Sequence, residues 1–172
     1  MGELVLRAAD KADHAAVWEM LRPVFRAGET YAIDPDISQS DALAYWFGEG
    51  RDVRVAESAG CVLGCYYIRP NAAGGGAHVC NCGFVTAQAA QGRGVARAML
   101  AEALDRAVQS GYRAMQFNFV ISTNTRAVAL WEAAGFDIVG RLPGAYLHPG
   151  LGYVDALVMY RNLVVDAATN DT

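Results

Sequence analysis

The feature that most constrains the fold is a pair of glycines between an apolar strand and a long helix. Residues 91–96 (QGRGVA) follow a strand predicted at residues 77–86 and precede a helix expected to run to Ser110. Glycines let backbone N–H groups approach a ligand closely, and a helix N-terminus adds unpaired N–H donors and a positive dipole end. The sequence therefore predicts a phosphate or pyrophosphate site here, with Arg93 as a further charged contact.

Two well-known phosphate loops fit this segment poorly. A Walker loop needs Lys and then Ser or Thr after its second glycine, and that pair is missing here. A dinucleotide fingerprint needs a third small residue, where this chain has Arg97. Taken alone, the segment is also compatible with an ordinary glycine-containing loop.

The order of predicted elements indicates an α+β fold. One strand is followed by two helices and three consecutive strands, and then by helix, strand, helix and two strands. Capping boxes are expected at the start of the first helix, from Asp10 and Asp13, and of the second, from Ser38 and Asp41. The last two strands are predicted on either side of a loop rich in Pro and Gly. This order is typical of a mixed sheet, not of a regularly alternating α/β fold.

Composition and charge narrow the functional classes. The 172 residues, 53% of them hydrophobic and 19% charged, suit one domain, predicted at residues 1–165, with a tail at 166–172 expected to be disordered. The net charge of −4, without a Lys- or Arg-rich block, disfavours nucleic-acid binding. Apolar runs fall far short of 18 residues, and charges interrupt the N-terminus. We therefore expect a cytoplasmic protein that does not bind membranes.

Four cysteines lie in two predicted strands. The spacings Cys61-x3-Cys65 and Cys80-x-Cys82 differ from the usual zinc-binding spacing. Disulfides are rare in the cytoplasm. We expect buried structural thiols and no metal site.

Two motifs together resemble the GCN5-related N-acetyltransferase (GNAT) family. Gln91-x-x-Gly94-x-Ala96 matches the family signature (Gln/Arg)-x-x-Gly-x-(Gly/Ala). A second element, Asn124-x-x-Ala127-x-x-Leu130-Trp131-x-x-x-Gly135-Phe136, is similar to a family motif in which Tyr replaces the Trp. Both elements occur at the family's usual separation and in its order of strands and helices. The resemblance covers nearly the whole chain and implies the GNAT fold, a mixed, mostly antiparallel sheet flanked by helices on both faces.

The resemblance implies acetyl-CoA as the cosubstrate and direct attack of an acceptor amine on its thioester. The strand before the loop would pair with the pantetheine arm through Phe84, Val85 and Thr86, and an N–H near Val85 would form a small oxyanion site. Asn124 would contact the coenzyme near the end of the next strand. The positions assigned to the coenzyme pyrophosphate are Gln91, Gly92, Arg93, Gly94, Val95 and Ala96.

The catalytic acid and base are left open by the sequence. Trp131 stands where many relatives have a tyrosine that protonates the leaving thiolate, and an indole cannot do this, so we expect a packing residue there. Water, or a tyrosine elsewhere such as Tyr153, could replace that acid. The candidates for the base are Glu29, His78, His148 and a water relay.

A narrower resemblance points to acetyltransferases that act on proline analogues such as azetidine-2-carboxylate. Residues 81–85 (NCGFV), residues 117–124 (FNFVISTN) and Trp131 carry it. In that group, residues matching Asn81, Phe84 and Asn118 shape the acceptor pocket or contact the substrate. Further residues that could line this pocket are Thr30, Tyr31, Tyr66 and Tyr67.

Two structural expectations follow from this narrower resemblance. Asn81 and Phe84 would point to opposite faces of a regular strand, so a β-bulge is expected near Gly83 to bring both to one pocket. Asn118 lies between two phenylalanines and is expected to be a buried amide that needs hydrogen-bond partners.

Three functions compete at this point. The first is acetylation of a small amino or imino acid. The second is acetylation of a protein N-terminus, a polyamine or an antibiotic. The third is a coenzyme A-binding regulator without catalysis. The resemblance also implies a homodimer formed through the C-terminal strands.

Overall fold

A seven-stranded sheet organises residues 2–164, the part of the chain that this computed structural model describes. The strands are β1 (Val5–Ala8), β2 (Asp52–Ser58), β3 (Cys61–Pro70), β4 (Val79–Thr86), β5 (Ala114–Ile121), β6 (Asp137–His148) and β7 (Gly152–Asn162). The helices are α1 (His14–Ala27), α2 (Gln39–Trp46), α3 (Val95–Gln109) and α4 (Thr125–Ala133). The sheet order is β1-β2-β3-β4-β5-β7-β6, and every neighbouring pair is antiparallel except β4–β5. The predicted α+β class is confirmed, and the tail predicted at 166–172 lies outside the described residues.

The predicted capping box of Asp10 and Asp13 is confirmed, whereas at Ser38 only the N-cap half of the predicted box forms within residues 2–164, because the Asp41 carboxylate accepts from the Ser38 hydroxyl. Ala12 N–H donates to the Asp10 carboxylate at 2.7 Å, and Asp10 N–H donates to the Asp13 carboxylate at 2.8 Å. This box begins a short 3-10 turn that continues into α1. At the start of α2, Asp41 N–H donates to the Ser38 hydroxyl at 3.1 Å. These side chains satisfy N–H groups that a helix terminus leaves unpaired.

The sheet separates two hydrophobic cores. Helices α1 and α2 cover one face, where they pack on alternate side chains of the central strands such as Val55 and Val85. Helices α3 and α4 cover the other face, against side chains such as Met115 and Leu157. No helix in the described part of the chain is long and apolar enough to cross a bilayer.

Three of the four cysteines are buried, as the sequence predicts. Cys65 lies on the α1–α2 face and Cys80 and Cys82 on the α3–α4 face, all as free thiols. Burial raises the pKa of the Cys65 thiol to about 12, so it stays protonated and unreactive. Cys61 is exposed at the start of β3, because it opens the hairpin next to the Ala59-Gly60 turn; the prediction is wrong for that residue.

Strands β4 and β5 separate soon after they begin. They pair at Val79–Ala114 and Cys80–Met115, and beyond these residues a cleft opens between them. β5 also shifts its register against β7 between Phe117 and Val120, which is a β-bulge. The split leaves backbone groups of β4 free to meet a ligand.

The C-terminal part differs from the prediction. The segment rich in Pro and Gly belongs to β6, which runs unbroken to His148, and a register shift between Leu142 and Tyr146 absorbs its extra residues. The Tyr146 hydroxyl donates to the Gly28 carbonyl at 2.6 Å, which ties β6 to the loop between α1 and α2. Pairing with β7 therefore overrides the turn-forming composition of this segment.

Candidate active site

The cleft between β4 and β5 has a volume of about 1160 Å³ and two parts, which lie on opposite faces of the sheet. The part beside α3 and α4 is called the cofactor arm, and the part beside α1 and α2 the acceptor arm. The cofactor arm is lined by residues that include Gln91, Gly94, Val95, Arg97, Asn124, Arg126 and Trp131. The acceptor arm is lined by Val24, Thr30, Tyr31, Ile33, Tyr45, Tyr67, Arg69, Asn81, Asn118 and Phe119.

The glycine segment forms the entrance to α3. Gly92 and Gly94 have φ angles of 75° and 81°, and nothing lies within 4 Å of where a Cβ would stand at either residue. Gly94 is the N-cap of α3 and supplies no side-chain cap, so the first-turn N–H groups are free for an anion. Five of the six positions predicted to hold the coenzyme pyrophosphate line the cleft, and Arg93 does not.

Asn124 lies at the start of α4, on the opposite side of the cofactor arm. Its side-chain oxygen accepts a hydrogen bond from Ala127 N–H at 3.3 Å, which caps the helix. The cap uses the oxygen and leaves the side-chain NH2 group to donate to a ligand. Asn124 lines the cleft, so its position is compatible with the predicted coenzyme contact.

Tyr31 binds both backbone groups of Phe84 in the middle of the cleft. Its hydroxyl accepts from Phe84 N–H at 2.9 Å and donates to Phe84 C=O at 2.8 Å. Burial raises the pKa of this hydroxyl well above its ordinary value, so it keeps its proton at neutral pH. Phe84 N–H therefore faces the cleft, with a protonated hydroxyl beside it.

The backbone N–H predicted near Val85 for the oxyanion site is that of the preceding residue, Phe84. Ala87 N–H donates to Leu63 C=O, on the side of β3. Alternate residues of a strand direct their backbone groups to the same edge, so Val85 shares this edge with Ala87, and Thr86 shares the cleft edge with Phe84. The N–H groups on the cleft edge therefore belong to Phe84 and Thr86, and that of Phe84 lies beside the Tyr31 hydroxyl.

The predicted bulge near Gly83 is wrong. The β3–β4 register runs unbroken from Gly64 opposite Thr86 to Pro70 opposite Cys80, and the bulge lies on β5 instead. Gly83 has another role, because a Cβ there would stand 2.5 Å from Cε1 of Tyr67, whose ring lies against it. The glycine is thus needed for close packing and not for a kink.

Asn81 and Phe84 contribute to different arms of the cleft. Asn81 is buried and donates its side-chain amide to Gln116 C=O at 2.9 Å, on the acceptor side. The Phe84 ring stacks on Tyr66 at 5.5 Å and packs on Trp131 at 5.2 Å, on the cofactor side. The expectation that both side chains bear on one pocket is wrong, because the strand between them is regular.

Asn118 lies at the β5 bulge and is exposed, not buried as expected. Its amide NH2 donates to Asn71 Oδ1 at 2.6 Å, and its oxygen accepts from Gln116 Nε2 at 2.9 Å. The bulge turns this residue out of the core and towards the cleft. Its two side-chain partners hold the amide in one orientation.

The predicted bases lie away from the cleft. His78 is exposed before β4, six residues from Phe84, which is about 20 Å of extended strand. Glu29 is exposed in the loop between α1 and α2, and His148 accepts from Gly150 N–H at the tip of the last hairpin. None of the three is among the residues that line the cleft.

The structure agrees with the predictions for Trp131 and Tyr67 but not with that for Tyr66. Trp131 packs on Phe117 and Phe136, so the predicted packing role is confirmed. Tyr67 lines the acceptor arm, whereas the Tyr66 hydroxyl donates to Glu102 on the other face. Residues 2–164 contain no group of three or more His, Cys, Asp or Glu side chains that could hold a metal ion.

Sequence reasoning missed two features of the acceptor arm. One is the double hydrogen bond of Tyr31, which joins residues 53 positions apart. The other is Arg69, whose location in the cleft follows from its register opposite Asn81. The alternation of β3 alone would have placed Arg69 on the same face as Tyr67, which was a usable signal.

This arrangement is typical of a transferase that binds a phosphorylated cosubstrate at one end of a split sheet and a second substrate at the other. A family model described as "Acetyltransferase (GNAT) family" matches residues 14–136. The chain therefore belongs to the GNAT family, whose members are acetyl-CoA-dependent N-acetyltransferases.

Individual relatives agree with this membership. The chain is 29% identical over 148 residues to N-acetyltransferase aca1 of Schizosaccharomyces pombe. The aligned region covers 76% of this chain and 71% of that protein. A GCN5-related N-acetyltransferase from Kribbella flavida shares 44% identity, with a TM-score of 0.88 over 92% of this chain and 97% of the other. The structure of yncA, a putative acetyltransferase from Salmonella typhimurium with acetyl-CoA, is 24% identical, with a TM-score of 0.84 over 99% of both chains, and shows the shared fold.

Proposed function

We propose that this enzyme transfers the acetyl group of acetyl-CoA to the amine of a small amino or imino acid. The observation that carries the proposal is the lining of the acceptor arm. Aromatic rings, the amides of Asn81 and Asn118 and the hydroxyl of Tyr31 line it, and among the described residues no Asp or Glu does. A polyamine would need such a carboxylate to balance its charges, because a buried unpaired charge is costly.

The cofactor arm fits acetyl-CoA. The uncapped first turn of α3 and the open space at Gly92 and Gly94 suit a pyrophosphate, and Arg97 and Arg126 add positive charge. Asn124 has a free NH2 group on the opposite side of the arm. Bound acetyl-CoA supplies a thioester whose carbonyl carbon an amine can attack, with a free thiol as the leaving group.

The chain provides one backbone donor and one side-chain proton at the centre of the cleft. Phe84 N–H faces the cleft and, when the Tyr31 hydroxyl shares or releases it, can stabilise the negative charge that develops on a carbonyl oxygen. The Tyr31 hydroxyl lies next to this N–H, and we assign to it the acid role that Trp131 cannot fill, although burial raises its pKa and makes it a weaker proton donor than an ordinary tyrosine. Because no Asp, Glu, His or Lys lines the cleft among residues 2–164, we assign removal of the amine proton to water.

The test is release of free thiol from acetyl-CoA with azetidine-2-carboxylate, spermidine and a peptide N-terminus as acceptors. Wild type is compared with Asn118→Ala and with Asn162→Ala, an exposed asparagine at the end of β7. We expect release with the imino acid that Asn118→Ala lowers by about 10-fold or more, consistent with loss of one or two hydrogen bonds, and that the control retains.

Two other results would contradict the proposal. Release only with spermidine or the peptide would leave an acetyltransferase with a different acceptor. If no acceptor causes thiol release although the protein still binds acetyl-CoA, the result would favour a coenzyme-binding regulator.

A homodimer and a cytoplasmic location stay predictions. The last hairpin exposes several large apolar side chains, with Leu147, Leu151 and Tyr153 62%, 64% and 77% exposed. Such a patch favours contact with a second copy. The mass of the protein in solution, measured by light scattering, decides between monomer and dimer.

A further inference from the structure

Arginine is the only charged residue type that lines the cleft within residues 2–164. Arg97 and Arg126 lie in the first turns of α3 and α4, in the cofactor arm. Arg161 donates to the Ala134 carbonyl. Arg69 is therefore the one charged side chain that the described structure places in the acceptor arm.

Arg69 has no acidic partner in the described part of the chain. Its Nε donates to Asn81 Oδ1 at 3.4 Å, which is long, and within residues 2–164 its terminal nitrogens make no hydrogen bond. Arg54, which is also partly buried, is paired with Glu102 at 2.8 Å. The Arg69 guanidinium is thus available to an anion that enters the cleft.

A second arginine, Arg51, lies behind the lining of the acceptor arm and adds positive charge next to Tyr45 and Tyr67. The Arg51 guanidinium lies 4.5 Å from the centre of the Tyr45 ring and 4.4 Å from that of Tyr67. Its Nη1 atom is buried without a hydrogen-bond partner in residues 2–164. Burial raises the pKa of the Tyr67 hydroxyl, and the charges of Arg51 and Arg69 oppose that rise, so both lie near it. Two cations without a carboxylate favour an anionic ligand.

The position of Arg69 suits a short ligand. Asn81, which contacts Arg69, precedes Phe84 by three residues, or about 10 Å of extended strand. In an α-amino or imino acid the amine nitrogen and the carboxylate carbon are about 2.5 Å apart, so a ligand beside Phe84 N–H covers only part of this distance and the long Arg69 side chain must reach along the arm to meet it. The arginine then binds the carboxylate with a bidentate contact.

We propose that Arg69 binds the carboxylate of the acceptor, so that the enzyme selects amines with a negative charge close to the nitrogen. This inference rests on the proposed function and names the group that would give it specificity. Arg51 supports the site through charge and through its contact with Tyr67, without touching the acceptor.

The test compares azetidine-2-carboxylate with its carboxamide, which has the same ring and amine but no negative charge. Binding of each compound is measured by calorimetry without acetyl-CoA, and acetyl transfer is measured as kcat/KM. The proteins are wild type, Arg69→Gln, Arg69→Lys and Arg22→Gln, the last an exposed arginine on α1 paired with Glu19. Unchanged affinity for acetyl-CoA confirms that each variant is folded.

We expect wild type to prefer the acid. Arg69→Gln should weaken binding of the acid and lower its kcat/KM by about 10- to 100-fold, with little change for the amide. Arg69→Lys keeps the charge but loses the bidentate geometry, so its loss should be intermediate. Arg22→Gln should behave as wild type.

Different results overturn the two proposals separately. If wild type acetylates both compounds and Arg69→Gln changes their kcat/KM values equally or not at all, Arg69 does not bind the carboxylate. The proposed acetylation of a small amine would still stand. If wild type neither binds nor acetylates the acid but acetylates spermidine or a peptide, both proposals fail.

Discussion

The Tyr31 hydroxyl accepts a hydrogen bond from Phe84 N–H at 2.9 Å and donates one to Phe84 C=O at 2.8 Å. It therefore replaces, for one residue, the neighbouring strand that β4 lacks beyond Cys80. The same N–H is the backbone donor at the centre of the cleft. Any ligand that binds it must share it with Tyr31 or displace the hydroxyl.

Tyr31→Phe should lower kcat by at least about 100-fold, since a positioned acid contributes at least that factor. The KM for acetyl-CoA should change little, because the glycine loop is untouched. Steady-state kinetics measure both, with Tyr153→Phe as the control, because Tyr153, the other tyrosine considered as an acid, is exposed on the last hairpin and is not among the residues that line the cleft. A Tyr31→Phe enzyme with normal kcat would remove the acid role assigned to this hydroxyl.

Gly94→Ala should weaken acetyl-CoA binding by about 10- to 100-fold, because the new Cβ would stand where the phosphate contacts form. Calorimetry measures this affinity directly. Gly111→Ala is the matched control, since Gly111 has a similar φ of 84°, open space around its Cβ position and a location after α3, away from the cleft.

Both glycine variants should lose about 1–2 kcal/mol of unfolding free energy, because alanine is strained at positive φ. Only Gly94→Ala should lose coenzyme affinity. Equal affinities in the two variants would mean that the loop does not hold the coenzyme phosphates.

Gly83→Ala should disturb the acceptor arm by moving Tyr67. The added Cβ would lie 2.5 Å from Tyr67 Cε1, so the ring must shift and the protein should lose about 1–3 kcal/mol of stability. The KM for the acceptor should rise more than that for acetyl-CoA.

Gly140→Ala is the control for this substitution. Gly140 also lies in a strand, but the nearest atom to its Cβ position is 3.6 Å away, which is ordinary contact. Urea unfolding and steady-state kinetics compare the two variants. Equal stability and equal acceptor KM would show that Tyr67 adjusts without cost.

Asp13→Asn should destabilise the fold at neutral pH. Asp13 is buried and accepts two hydrogen bonds of 2.8 Å from Arg7, which hold the pKa of its carboxyl below the ordinary value. A lowered folded pKa means stability that is present above the unfolded pKa of about 3.9 and lost as the pH falls through the folded value.

Urea unfolding at pH 7 should therefore show a loss of about 1.5–3 kcal/mol for Asp13→Asn. The difference from wild type should shrink below about pH 4. Asp137→Asn, an exposed control in β6, should stay within about 0.5 kcal/mol of wild type. A difference that does not depend on pH would mean that Asp13 acts through shape and not through charge.

Local rules explain what could be predicted without the structure. Capping boxes, the glycine loop and the order of strands and helices depend on residues a few positions apart, so periodicity and turn chemistry predict them. The resemblance in the glycine loop and around Asn124 led to the family, which the comparisons confirm. The α+β class follows from the same local pattern.

The structure of the acceptor arm could not be predicted from local sequence patterns. The bulge was expected at Gly83 because the alternation of β4 was the only constraint available, whereas the register between β5 and β7 placed it beside Asn118. The Pro/Gly-rich segment was predicted as a loop, but pairing with β7 makes it a strand.

The sequence by itself determined the family, the glycine loop before α3 and the succession of elements, since each rests on neighbouring residues. Only the tertiary structure decided which backbone N–H faces the cleft, that Tyr31 meets it, and that Arg69 enters the acceptor arm without an acidic partner among residues 2–164. Those facts depend on where β4 and β5 separate and on which residues oppose each other across strands. Long-range packing sets both, and a one-residue change in register would reverse them.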